Sequence, residues 1–266
     1  MVGWISGRAG LLVATGVFTL LAAVAPATGA ATGVVRSLKH AVDHMTISTQ
    51  NGQSFNGAAA VGTLFTETDG KLGTHFCSGS VVDSPEGDLV LTAAHCLQNS
   101  SGTVAFVPDY HDGETPYGIW RITHVYTDAA WQSSQNPDDD FAFATVSDPA
   151  EGVPIEDITG AEQLGSATQT RSYVQVIGYP DGESNPIECI NWTKSYGTTQ
   201  LEFDCGGYLD GTSGSPFLTH VNPDTGQGVV IGVIGGFEQG GLTPQVSYSS
   251  LFGANVEALY KTATAS

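Results

Sequence analysis

The chain has 266 residues, room for one large domain or two small ones and enough to bury a substantial core. Eight Lys and Arg stand against 27 Asp and Glu, a formal net charge of −19, which argues against a nucleic-acid partner because phosphate would be repelled without a basic cluster. Charged residues are only 13% of the chain, and 34 Gly, 12 Pro and scattered short apolar runs point to an all-β protein with many turns. The acidity suits solubility outside a cell and would steer cationic substrates toward the surface.

The N-terminus reads as an export signal. Arg8 precedes the apolar run Leu11–Val24, and small residues follow at Ala25-Pro26-Ala27 and Thr28-Gly29-Ala30, so residues 1–27 are expected to be a signal peptide. The apolar run is under about 18 residues and contains Thr and Gly, which disfavours a transmembrane anchor. A secreted, extracellular protein with no membrane association after cleavage is expected. Residues 28–57 are polar and lack sustained periodicity, as in a propeptide or a loose N-terminal arm.

From Ala58 the pattern changes to short apolar runs bounded by turn residues. Strands are predicted at Ala58–Phe65, Cys77–Val82, Leu89–Ala94, Thr103–Val107, Tyr117–Val125 and Phe141–Val146. A turn-rich connection, Asp148–Pro154, separates residues 58–150 from a second β half, 151–266. There strands are predicted at Ser172–Ile177, Thr198–Phe203, Ser215–Thr219, Val229–Ile234 and Gln245–Ser249. Val256, Leu259 and Tyr260 at helical spacing, behind Asn255 as N-cap, predict a short terminal helix.

Four cysteines allow three pairings. They fall into two local pairs, one in each half, and export favours oxidation, so Cys77–Cys96 and Cys189–Cys205 are expected. Metal ligation is the rival; no C-x-x-C spacing supports it, and neither a metal nor a cofactor is expected.

Three segments carry candidate chemistry. Leu91-Thr92-Ala93-Ala94-His95-Cys96 delivers a histidine at the end of an apolar strand. Asn136-Pro137-Asp138-Asp139-Asp140 runs into Phe141 and Phe143, which can bury Asp140 and oblige it to find a hydrogen-bond donor. A solvated acidic turn or a calcium loop is the alternative reading of that stretch. Asp210-Gly211-Thr212-Ser213-Gly214-Ser215-Pro216-Phe217 reads alone as a turn, yet glycines on either side of Ser213 would let backbone N–H groups approach a substrate carbonyl. The order His, Asp, Ser along the chain differs from the Ser, Asp, His order of α/β-hydrolases. The G-x-S-x-G elbow of that fold is also missing, because Ser215 stands at its second glycine.

With these motifs, together with His75-Phe76-Cys77-Ser78-Gly79-Ser80 and Val176-Ile177-Gly178-Tyr179-Pro180, residues 58–262 resemble a chymotrypsin-like serine peptidase of secreted bacterial type. The likeness is to the V8-like and actinobacterial branches. The resemblance implies two packed six-stranded antiparallel β-barrels with a short C-terminal helix, and an endopeptidase acting on protein or peptide substrates, expected as a monomer. Carried onto matching positions, it makes Ser213 the nucleophile, His95 its base and Asp140 the orienting acid. The Gly211 and Ser213 amides become the oxyanion hole.

The chain departs from the family in two places. In the digestive enzymes an aspartate before the nucleophile pairs with a new N-terminal amine after zymogen cleavage; here that residue is Thr212, so another device must organise the loop. The substrate pocket is expected at Gly207, Gly235 and Phe237. Gly207 stands where trypsin-like members have aspartate, and Ile234 where glutamyl endopeptidases have histidine, so neither a basic nor an acidic P1 residue is favoured. Asp210 would repel acidic side chains, and Phe237 would narrow the pocket to small or medium apolar ones. A catalytically silent binding protein on the same fold and a secreted esterase are the competing functions.

Overall fold

Leu89, Val90 and Leu91 alternate between two apolar environments, as successive side chains of a strand must. This rule builds the first half of the protein in the computed structural model, which describes residues 50–98, 103–147, 152–167 and 169–265. The expected signal peptide, the arm up to residue 49 and the connection at 148–151 lie outside the described residues.

After a two-residue strand β1 (Gln53–Ser54), six strands follow: β2 (Val61–Thr68), β3 (Lys71–Val82), β4 (Leu89–Thr92), β5 (Thr103–Pro108), β6 (Trp120–Thr127) and β7 (Ala142–Ser147). They close an antiparallel barrel in the order β2-β3-β4-β7-β6-β5. In β7, Ala142, Ala144 and Val146 fill the barrel while Phe143 faces out of it.

The second half contains β8 (Gln163–Leu164), β9 (Tyr173–Gly178), β10 (Ile187–Tyr196), β11 (Gln200–Asp204), β12 (Pro216–Thr219), β13 (Val229–Val233) and β14 (Val246–Ser250). They bond in the order β14-β11-β10-β9-β12-β13-β8, with β1 added to β10. β13 returns beside β14 through Val233 N to Ser249 Oγ and Gly235 N to Tyr248 O, each at 3.0 Å, so β9–β14 make the second barrel. The expected pair of antiparallel six-stranded barrels is therefore present, and β1 and β8 are additions to it. β8 runs parallel to β13.

A third apolar cluster fills the seam between the barrels. It joins Leu89, Leu91, Phe141 and Phe143 of the first to Ile177, Tyr179, Leu218 and Val233 of the second, and the terminal helix closes it with Val256 and Leu259. Phe141 and Phe143 are fully buried there, each stabilising by about 1.5–3 kcal/mol. Both expected disulfides are formed, Cys77–Cys96 and Cys189–Cys205.

Some elements differ from expectation. β10 carries no apolar run because only Cys189 and Thr193 of it are buried while Trp192 and Ile190 face solvent. Four short α-helices occur among the described residues: α1 (Ala94–Gln98), α2 (Ala129–Ser134), α3 (Ile155–Thr159) and the terminal α4 (Ala254–Ala263). The N-cap of α4 is Gly253, not Asn255. Asn255 instead turns its amide to Asp138 O and Asp139 Oδ1, docking the helix on the acidic turn. Residues 50–55 are not loose: Gly52 N bonds Gly206 O, Gly206 N bonds Gln50 O, and Phe55 N bonds Pro186 O.

Candidate active site

The end of β4 turns directly into α1, so His95 leaves the barrel on the first turn of a five-residue helix braced by the neighbouring Cys96 disulfide. Asp140 follows a 3₁₀ turn, Pro137–Asp139, that Asn136 caps through Asp138 N. The other acidic residues of this turn are taken up by amides: Gln200 Nε2 donates to Asp138 Oδ1 at 2.7 Å, and Asn136 and Asn255 donate to Asp139. Asp140 alone points into the seam, where it is fully buried.

A carboxylate there must be compensated for its lost water. Asp140 Oδ2 accepts from His95 Nδ1 at 2.8 Å and from Gly236 N at 2.9 Å, and Oδ1 accepts from His95 N at 2.9 Å. The Nδ1–H bond fixes the tautomer, leaving Nε2 of His95 as the basic nitrogen. The His95 side chain is 13% exposed, reachable from solvent on one side.

Ser213 belongs to the turn between β11 and β12. Gly211 has φ +92° and Gly214 φ +85°, left-handed values that glycine adopts freely. A Cβ on Gly214 would lie 2.1 Å from Ser78 O, 2.2 Å from Thr92 Oγ1 and 3.1 Å from Ala93 N. That close approach brings the Ser213 backbone against the strand end that carries His95. Packing, not a side-chain hydrogen bond, joins Ser213 to the His95–Asp140 pair. Within the loop, Thr212 N, Gly214 N and Ser215 N each donate to a carbonyl, whereas Gly211 N and Ser213 N have no acceptor among the described residues.

Ser213 and Thr212 line a cleft of about 440 Å³ together with Tyr208, Leu209, Ile234 and Leu242. Asp181 and Asp210, both exposed, also border it. Gln239 also lines it, and Gln239 and its neighbour Glu238 hold left-handed φ of 54° and 53°, a strained backbone of the kind that collects at functional sites.

The three expected pocket residues do not line this cleft. Gly207 lies beside Gly52 and Ile187, under the β1 segment, and Gly235 packs on Asp140. Phe237 stacks between Tyr196 and Tyr248, with ring centroids at 4.7 and 5.2 Å, because Gln200 Oε1 holds its amide and draws it away. Phe237 therefore lies outside this cleft. Sequence reasoning had not singled out the Gly236 amide, Asp181, Leu209 or Leu242. They sit in loops without periodicity, and only the fold brings them to Ser213.

A family model described as a trypsin-like peptidase domain matches residues 77–233. Among solved structures, the chain resembles the protease Anisep from Arthrobacter nicotinovorans at 24% identity and a TM-score of 0.69, over 81% of this chain and 100% of that one. It resembles the thermostable serine protease AL20 from an extremophilic microorganism at 23% and 0.68, over 79% and 98%. A Glu endopeptidase is similar at 15% and 0.63, over 82% and 99%. At these identities the likenesses speak for the fold. No curated protein sequence matches the chain.

Proposed function

Because the chain belongs to the trypsin-like peptidase domain family and is a serine endopeptidase, we propose that Ser213, His95 and Asp140 are its nucleophile, base and orienting acid. One observation carries this reading. Beside the buried Asp140–His95 pair runs a loop whose Gly211 and Ser213 amides, the second on the nucleophile itself, have no acceptor among the described residues.

The chemistry follows from the geometry. A serine hydroxyl is barely nucleophilic at neutral pH, so His95 Nε2 takes its proton as Oγ attacks the scissile carbonyl. The tetrahedral oxyanion is met by Gly211 N–H and Ser213 N–H. His95, now imidazolium and stabilised by ionised Asp140, gives its proton to the leaving amine, and an acyl ester on Ser213 remains. Water, deprotonated by the same His95, then attacks the ester and restores Ser213.

Export of the protein, with residues 1–27 as signal peptide, is part of the same reading. Two formed disulfides support an oxidising compartment, and no helix among the described residues is long and apolar enough to cross a membrane.

Labelling with a fluorophosphonate probe, paired with hydrolysis of casein and of a simple ester, tests the function. The wild-type chain is expected to take the label and cleave casein, and Ser213→Ala to lose both. Full peptidase activity in Ser213→Ala with loss in Ser215→Ala would move the nucleophile. Labelling with ester hydrolysis alone would favour the esterase, and no labelling the silent binding protein.

A further inference from the structure

A peptide plane points its carbonyl and its N–H in opposite directions, so whatever holds one carbonyl sets the direction of the next amide. From Asp210 to Ser213 each carbonyl is held. Asp210 O accepts from Asp181 N at 2.6 Å, which sets Gly211 N. Gly211 O accepts from Ser78 Oγ at 3.0 Å, and Thr212 N of the same peptide donates to Leu209 O at 3.1 Å. Thr212 O accepts from Ser215 Oγ at 2.6 Å and Ser215 N at 3.0 Å, which sets Ser213 N. Ser213 O accepts from Ser78 N at 2.7 Å, and Gly214 N donates to Ile234 O at 2.7 Å.

Two of these clamps are side-chain hydroxyls, and both serines are fully buried. Ser78 comes from β3 of the first barrel. Its Oγ accepts from Tyr179 N at 2.9 Å, a donor that can only donate, while Gly211 O can only accept; the Ser78 hydroxyl proton is therefore committed to Gly211 O. Thr212 Oγ1 is spent on Leu209 O at 2.7 Å and takes no part in an ion pair.

We propose that Ser78 and Ser215 are positioning residues for the oxyanion hole, their hydroxyls holding Gly211 O and Thr212 O so that Gly211 N and Ser213 N stay turned toward the substrate. They stand in for the ion pair that Thr212 cannot form. Ser215 acts on the plane that carries Ser213 N. Ser78 acts one plane earlier, stopping rotation about Gly211, which has no side chain to restrain it. The inference rests on Ser213 being the nucleophile.

The test uses Ser78→Ala and Ser215→Ala in the full chain, assayed with a chromogenic peptide and with a peptide aldehyde, whose hemiacetal oxygen occupies the oxyanion position. Each folded variant is expected to lose about 10-fold or more in kcat with KM changed less than about 3-fold, and to bind the aldehyde weaker by a similar factor. A merely structural role would lower the melting temperature without that split. The two serines lie on different barrels, so either folded variant decides the matter. Unchanged kcat and aldehyde affinity, or a rise in KM with kcat intact, overturns the clamp. Ser213→Ala separates the layers: if it is inactive while both serine variants match wild type, only the clamp fails, and if it is active, the nucleophile assignment fails.

Discussion

Gly236 donates its amide to Asp140 Oδ2 at 2.9 Å, across 96 residues of sequence. Asp140 comes from the first barrel and Gly236 from the loop after β13 of the second, so the acid behind His95 exists only when the two barrels are docked. Replacing Asp140 by Asn keeps the size but turns an N–H₂ group toward donors, or forces His95 into the wrong tautomer. Asp140→Asn is expected to lower kcat by roughly 10³–10⁴-fold at neutral pH, as for a triad with a misdirected imidazole. Steady-state kinetics on the chromogenic peptide, beside a melting curve to confirm folding, check this.

Gly214→Ala should inactivate the enzyme. The new Cβ would sit 2.1 Å from the Ser78 carbonyl, a backbone atom that cannot swing away, at a φ of +85° that alanine resists. Gly226→Ala is the control: its φ of +74° is also left-handed, but nothing lies within 4 Å of the added methyl. The control is expected to lose about 1–2 kcal/mol of stability with kcat unchanged, while Gly214→Ala loses activity as well.

Stability should depend on Glu162. It is fully buried where the second half leaves the first; Oε2 accepts from Gly228 N at 2.5 Å and Oε1 has no partner. Burial pushes its carboxyl up to about 7, against the lowering effect of the Gly228 bond. An acid whose folded pKa is raised binds its proton more tightly in the native state, so the fold is favoured below about pH 4.5 and loses that advantage as pH rises through 7. Denaturant unfolding of Glu162→Gln is expected to cut the stability difference between pH 5 and pH 8 by about 3 kcal/mol. Equal pH dependence in both proteins would count against this.

The Cys189–Cys205 bridge closes a separation of 16 residues and lies in the interior of the second barrel. The Cys189→Ala/Cys205→Ala pair is expected to lose about 3 kcal/mol, read as a melting temperature lower by roughly 6–12 °C. Activity of the folded fraction should persist. Removing Cys77–Cys96, which abuts His95, should lower kcat as well.

Asp210 and Asp181 border the cleft, and among the described residues no Lys or Arg lines it. Peptides with Lys next to the scissile bond should be cleaved faster than peptides with Glu there. Because Asp210 is exposed and screened, Asp210→Asn should narrow the ratio of kcat/KM only about 2–5-fold, more at low salt than at high.

The residues of the candidate site were readable where chemistry demands a local pattern. His95 follows an apolar strand, Asp140 precedes one, and Ser213 sits between glycines that its turn requires. β4 and β7 were readable because both of their faces are apolar, one inside the barrel and one in the seam. β10 was not, since its outward face mixes Glu188 and Lys194 with Ile190 and Trp192, and its inward face buries only Cys189 and Thr193, with the polar Asn191 between them. The surroundings of Phe237 were not readable, because an aromatic after two glycines gives no hint that Tyr196 and Tyr248 pack on it. The role proposed for Ser78 was hidden for a different reason: a hydroxyl reports nothing about its partner until the fold brings a carbonyl 133 residues away within reach.

The short strand β1 sets a boundary for maturation. Its pairing with Ile187 and Glu188, and the bonds that Gln50 and Gly52 exchange with Gly206, stitch the first described residues to β10 and to the loop two residues before Tyr208 of the cleft. A processing peptidase that trims upstream leaves this seam closed. One that cuts beyond Gln50 removes these bonds, so a chain trimmed past Gln50 is expected to melt lower than one trimmed before it.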